Sequence, residues 1–212
     1  CIPGRTTGVD LVDAILRSES VVPYAVIGGL KFYERKEIKD ALAYLTALSN
    51  ARNDEAIRRV INEPGRGIGE KTELKIAQFA RENSLSFRQA LGSVGQLGLG
   101  PKLTAAITDF AETLNYLSSM AEDASLSAVL AETLVKSGYR GALEASRDPQ
   151  DEARVENLDA LIGQVFEYEH RNPEATLADY LAEITLAAAA DEIDDASGSV
   201  SLMTLHTAKG LE

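Results

Sequence analysis

The sequence predicts a mainly α protein in which a helical region is inserted between two parts of one α/β domain. Apolar residues recur at the three-and-four spacing of a helix through most of residues 37–184. Only residues 24–27 and 200–206, near opposite ends of the chain, have the character of strands. A lone strand is not stable, so each is expected in a sheet whose other strands are brought together by this chain or lie outside it.

Helical periodicity and capping residues predict a series of helices along the chain. Asn53 or Asp54 can cap the second helix, and Pro64 with Gly65 interrupts the chain after it. Pro101 suits the first turn of the fourth helix. The predicted helices cover approximately residues 37–50, 53–61, 71–82, 101–117, 126–134, 155–165 and 177–184.

The domain organisation follows from this order of elements. Residues 1–53 and 197–212 are predicted to be parts of one α/β domain, and residues 54–196 to be the helical insert. The chain begins at Cys1 without a methionine and stops at Glu212 directly after an apolar run, so we expect a fragment of a longer protein.

Composition excludes several classes of protein. The 212 residues include one cysteine and two histidines, which permit no internal disulfide and are too few for a usual structural zinc site. No segment is apolar enough to span a bilayer, and no signal peptide opens the chain. A cytoplasmic protein without a membrane partner is therefore expected.

The formal net charge of -12 is unevenly distributed. Residues 141–195 hold 15 acidic and 3 basic side chains, which account for all of it. Residues 31–102 carry 13 basic and 9 acidic side chains, with Arg58, Arg59, Arg66, Lys71 and Lys75 close together in sequence. A basic face that binds phosphates and an ordinary solvated helix surface both explain this stretch.

Two glycine turns open helices and resemble each other: Gly67-Ile68-Gly69 with Lys71, and Gly98-Leu99-Gly100 with Lys102. Such a turn leaves backbone N–H groups unpaired at the positive end of a helix, and the absence of a Cβ lets an anion approach. At the first turn, Lys71 and Thr72 would add a charge and a hydroxyl. The alternative for both turns is a plain helix–helix connection, which we favour for the second.

No catalytic constellation is evident from the residues themselves. The stretch from Gly69 to Thr72 differs from a nucleotide-binding P-loop because Glu70 replaces the glycine that must precede the lysine. His170 lies in a polar stretch, and His206 has no obvious nucleophile beside it. Catalysis by this chain alone is therefore not expected.

Four stretches resemble the UvrD/PcrA/Rep family of superfamily 1 helicases. In chain order they read YAVIGGLKFYERKEIKD at 24–40, PGRGIG at 64–69, RVENL at 154–158 and LMTLHTAKGLE at 202–212. The resemblance implies a motor that uses ATP and Mg²⁺ to move 3′ to 5′ along single-stranded DNA. It further implies that residues 54–196 form the helical subdomain called 2B, with a helix-hairpin-helix-like Gly-Ile-Gly turn, inserted into the RecA-like domain called 2A.

The resemblance also assigns roles to individual residues. Gly67, Ile68, Gly69 and Thr72 match the turn that touches duplex phosphates, Lys71 is a sensible addition on charge, and Arg35 is a plausible contact to the DNA backbone. Thr204 and His206 match positions near single-stranded DNA, Lys209 would couple DNA to nucleotide, and Glu212 matches a carboxylate near the ATP ribose. Arg5 matches an arginine that reaches the γ-phosphate, although Gly4 and Thr7 depart from that motif.

The chain contains neither Walker motif and no second arginine finger after Glu212, so the resemblance implies no ATP hydrolysis by the chain alone. The leading expectation is a DNA-contacting and regulatory part of a helicase that acts at junctions of single-stranded and duplex DNA in repair and replication. The alternative is a module that docks repair proteins or RNA polymerase, which the acidic residues 141–195 favour locally.

Overall fold

A computed structural model describes residues 24–26, 32–192 and 200–202. This part of the chain is mainly α, as the sequence predicts, and none of its helices is both long and apolar enough to cross a membrane. Its helices are α1 Lys36–Ser49, α2 Asp54–Val60, α3 Glu70–Glu82, α4 Phe87–Leu91, α5 Pro101–Met120, α6 Leu126–Lys136, α7 Tyr139–Glu144, α8 Pro149–Arg171 and α9 Leu177–Glu192. A 3₁₀ turn, Val94–Leu97, lies between α4 and α5.

Side-chain caps set several of the helix starts. The Asn53 side chain accepts a hydrogen bond from the backbone N–H of Ala56, which confirms the predicted cap of α2. Ser86 and Gln89 form a reciprocal capping box at α4. Pro101 occupies the first turn of α5, where the absence of its N–H costs no helical hydrogen bond. The sequence analysis missed α4, a helix of 5 residues, and α7, a helix of 6 residues.

The helical unit runs from Lys31 to Ala188 and therefore includes α1, which the sequence reading assigned to the first flank. Helix α1 contacts α2, α5, α6 and α8. Its apolar residues Ile38 and Leu45 are fully buried, and so are the polar residues Tyr44 and Asp40 on other faces. The assignment of residues 54–196 to a 2B subdomain stays a prediction.

Strands β1, Tyr24–Val26, and β2, Val200–Leu202, pair in parallel. The register places Tyr24 opposite Val200 and Val26 opposite Leu202. Both strands were predicted, and each is shorter than its apolar run. The two strands pair with each other, as expected for parts of one sheet. Parallel strands need a long crossover connection, and these two lie far apart in sequence. A RecA-like domain at these flanks stays a prediction.

Candidate nucleic-acid interface

Residues 61–69 connect α2 to α3 and contain the Gly-Ile-Gly turn. Gly67 has a φ of +75°, the left-handed region that favours glycine, and Gly69 precedes α3 in an extended conformation with φ -82° and ψ 169°. Between them, Ile68 is 2% exposed and anchors the turn in the core. A Cβ added at either glycine would meet no protein atom within 4 Å, so the space in front of the turn is open.

Asn62 shapes the turn from the inside. Its side-chain oxygen accepts hydrogen bonds from the backbone N–H of Arg66 at 2.8 Å and of Ile68 at 3.0 Å. These bonds hold the residues on either side of Gly67 and leave its own N–H unengaged. Sequence reasoning missed Asn62, although asparagine commonly bonds to nearby backbone in turns.

Four backbone N–H groups at the turn have no acceptor among the described residues: those of Gly67, Gly69, Glu70 and Lys71. The first helical bonds of α3 run from Thr72 and Glu73 to the carbonyl of Gly69, at 2.9 and 3.1 Å. Unpaired donors at the positive end of a helix form an arrangement that favours an anion. The turn therefore has the donors for a phosphate group, with the exposed Glu70 carboxylate as an opposing charge.

The basic stretch around the turn is largely neutralised. Arg58 is 2.5 Å from Glu73 in an ion pair, and Arg59 pairs with Asp40 at 2.8 Å. Lys71 is exposed and forms no ion pair within the described ranges.

Lys75, one helical turn further along α3, is likewise exposed and unpaired in the described part of the chain. Thr72 is half-buried beside Lys71. The positive charge available to a ligand at this turn is therefore that of Lys71 and Lys75.

Arg66 is directed inward. Its guanidinium donates hydrogen bonds to several backbone carbonyls and to the Tyr44 hydroxyl, and it lies 4.9 Å from the centre of the Phe110 ring. Burial raises the pKa of Tyr44, whereas the positive charge of Arg66 and its hydrogen bond act to lower it. The half-buried Arg66 is thus engaged by groups of the protein itself and does not form part of a basic face.

A second network is centred on the buried, charged side chain of Asp40. Its carboxylate is 1% exposed and accepts hydrogen bonds from Tyr139 at 2.9 Å, Arg59 at 2.9 Å and Lys36 at 2.7 Å. Burial and the neighbouring charge of Asp40 both raise the pKa of Tyr139. A carboxylate with all these partners is a structural group, since its lone pairs are already engaged.

The Gly98–Leu99–Gly100 turn differs from the first one. Gly98 also has a positive φ, of +61°, and Lys102 is exposed. Pro101 occupies the first helical position, so this turn lacks one of the N–H donors that the first turn presents. The second turn is therefore the poorer anion site, in line with the sequence reading.

Arg35 contacts the side chain of Asn157 on α8 and lies 5.6 Å from the centre of the Phe32 ring. Phe32 and Tyr33 pack against the core, and Tyr33 donates a hydrogen bond to Gln164 at 2.9 Å. Arg35 is exposed, and its hydrogen bond to Asn157 holds the guanidinium against α8. Among the described residues, no contact links Arg35 to the Gly-Ile-Gly turn.

The remaining predicted site residues lie outside the described residues: Arg5, Thr204, His206, Lys209 and Glu212. Among the residues that the structure describes, no group of histidine, cysteine and carboxylate side chains could hold a metal ion.

The chain belongs to the family of UvrD-like helicase C-terminal domains, which it matches over residues 9–212. It is 40% identical over 196 residues to the ATP-dependent DNA helicase PcrA of Staphylococcus epidermidis (strain RP62A), and 39% identical over 196 residues to PcrA of Staphylococcus aureus (strain Mu50). These alignments cover 92% of this chain but only 27% of either relative. The family resemblance predicted from the motifs is confirmed.

Proposed function

We propose that this chain is the DNA-contacting and regulatory part of an ATP-dependent 3′–5′ DNA helicase that works in repair and replication in the cytoplasm. The observation that supports the proposal best is the turn from Gly67 to Lys71, with four backbone donors and an open approach. The relatives are named ATP-dependent DNA helicases, so we infer that the phosphates bound by this turn are those of DNA.

The chemistry of the turn favours contact with the DNA backbone. Its donors are main-chain N–H groups, assisted by the Lys71 ammonium and the Thr72 hydroxyl, and such groups bind phosphate oxygens without reading base sequence. Ile68 and Arg66 both point inward, so neither offers a side chain to a DNA groove. We expect binding at the duplex side of a junction, independent of sequence and sensitive to salt.

The nucleotide chemistry belongs to the longer protein in this proposal. ATP and Mg²⁺ are its cofactors, with Arg5 near the γ-phosphate, Glu212 near the ribose, Lys209 in coupling, and Thr204 and His206 near single-stranded DNA. The chain itself carries neither Walker motif, so it should hydrolyse no ATP alone. Measurable DNA-stimulated ATPase activity of this chain would contradict that expectation.

A titration of the chain with a fluorescently labelled forked duplex tests the phosphate contact. Replacing Gly67 and Gly69 together with alanine or larger residues should weaken duplex binding, because the turn loses its left-handed residue and its open approach. Unchanged affinity of a folded double variant would reject the proposal.

Unchanged affinity would favour the second candidate, a module that docks a basic surface of a repair protein or of RNA polymerase. The observation behind this candidate is the acidic surface of α8. Glu152 and Glu156 are exposed there, and form no ion pair with any described residue.

A further inference from the structure

Arg66 precedes Gly67, and six acceptor atoms lie within hydrogen-bond distance of its guanidinium. Its Nη1 atom lies 3.1 Å from the carbonyl oxygens of Val60, Ile61 and Glu63 and 3.3 Å from that of Pro64. Its Nη2 atom donates to the Tyr44 hydroxyl at 3.0 Å and to the Ser137 carbonyl at 2.8 Å.

These contacts gather the carbonyls at and beyond the C-terminus of α2. The Val60 carbonyl ends the helix and also accepts from the N–H of Glu63 at 3.1 Å, and the Ile61 carbonyl follows directly after it. A cation near a helix C-terminus is favourable. The planar guanidinium carries five donors in a fixed fork, so one side chain can satisfy several carbonyls that converge on it. The Phe110 ring, 4.9 Å away, adds a cation–π contact from α5.

The same residue also fixes the turn along the main chain. The backbone N–H of Arg66 is bound by Asn62, whose oxygen also accepts from Ile68, so the two neighbours of Gly67 share one acceptor. The Arg66 side chain then ties this segment to α1 through Tyr44 and to the end of α6 through Ser137. The N–H groups of the turn are thereby held in place before any anion arrives.

We propose that Arg66 is a positioning residue for the phosphate-binding turn and makes no contact with DNA itself. The inference rests on the proposed function and divides the cationic residues of the turn into two roles: Arg66 orders the backbone donors, and Lys71 supplies charge to the ligand. Preorganised donors bind more tightly because less conformational freedom is lost on association.

Salt dependence separates the two roles, because each phosphate contact made by a cation contributes about 0.9 to the slope of log affinity against log salt. Forked-duplex affinity of the full chain is measured across a salt series for wild type, Arg66→Lys, Arg66→Met and Lys71→Met. Arg66→Lys keeps the charge but has three donors in place of the fork. Both Arg66 variants should bind about tenfold more weakly at every salt concentration with the wild-type slope, whereas Lys71→Met should lower the slope by about 0.9.

Arg88 provides a matched control for a purely structural arginine. Its guanidinium donates to the carbonyls of Ala47 and Leu114 at 3.0 Å each and to Ser118 at 2.8 Å, which lie on α1 and α5 and are not part of the turn. Arg88→Lys and Arg66→Lys should both lower the melting temperature, but Arg88→Lys should leave duplex affinity unchanged below that temperature. Equal loss of affinity in both variants would overturn the inference.

Two other results would also overturn it: Arg66→Lys that binds as wild type does, or Arg66→Met that lowers the salt slope as much as Lys71→Met. If Arg66→Met does not fold, Tyr44→Phe removes one partner of the guanidinium and should weaken binding with the slope unchanged. Failure of the proposed function has a different signature. In that case Lys71→Met and the glycine variants bind as wild type does, whatever Arg66→Lys does.

Discussion

Replacing Gly69 with valine should block the proposed phosphate site while leaving the fold intact. Valine tolerates the extended backbone at this position, φ -82° and ψ 169°, and no protein atom lies within 4 Å of its Cβ. Gly69 is the N-cap of α3, and replacing glycine with valine at such a position costs about 1 kcal/mol of stability. Valine also restricts the unfolded chain more than glycine does, which offsets about 0.4–1 kcal/mol of that cost. The free energy of unfolding should therefore change by less than about 1 kcal/mol.

The effect on DNA binding should be larger. The valine side chain would occupy the open space in front of the turn, where a phosphate must approach the N–H groups of Gly69 and its neighbours. A hydrogen bond to a charged group contributes about 1.5–3 kcal/mol. Loss of one such bond corresponds to a decrease in affinity of about 10- to 100-fold.

Fluorescence anisotropy with a labelled forked duplex at low salt measures this change, and thermal melting checks the fold. Gly100→Val is the matched control, because Gly100 also precedes a helix in an extended conformation, φ -65° and ψ 154°, with no atom near its missing Cβ. It should bind DNA as wild type does. Wild-type affinity for Gly69→Val, or an equal loss for Gly100→Val, would refute the reasoning.

Two further predictions concern stability. Tyr139→Phe removes a hydrogen bond to the buried Asp40 carboxylate and should lower the free energy of unfolding by about 1.5–3 kcal/mol in urea denaturation; an unchanged midpoint would contradict the structural role of this network. Asp179 accepts hydrogen bonds from the hydroxyl and the N–H of Thr176, which lower its pKa. Its contribution to stability is therefore complete above the ordinary carboxyl pKa and is lost as pH falls through the lowered value. Asp179→Asn should remove that part of the acid dependence in pH-dependent melting, and an unaltered acid limb would contradict a stabilising role for these hydrogen bonds.

The positions of the helices were predictable because they depend on local signals. Apolar spacing located α1, α5 and α8, and the side chain of Asn53 caps α2 as expected. The interior role of α1 was less accessible to this reasoning. Periodicity reports one apolar face, whereas α1 also buries Asp40 beneath partners from other elements.

The candidate site was predicted in outline, and its electrostatics were not. The glycine spacing located the turn, and the apolar residue between the glycines, Ile68, indicated its anchor. Both predictions depend on local properties, namely backbone conformation and one apolar side chain. Pairing of Arg58 with Glu73 depends on tertiary structure, because 15 positions separate them in sequence. The inward direction of Arg66 depends in the same way on Ser137, 71 positions away.

The link from Arg66 to Ser137 has a mechanical consequence. A force applied to the turn by a bound phosphate would pass through the guanidinium into the end of α6 and, through Tyr44, into α1. The load would then be shared among helices that are distant in sequence instead of being borne by the turn and its two flanking helices alone. If the proposed DNA contact exists, this arrangement would limit bending of the turn when the DNA is under tension.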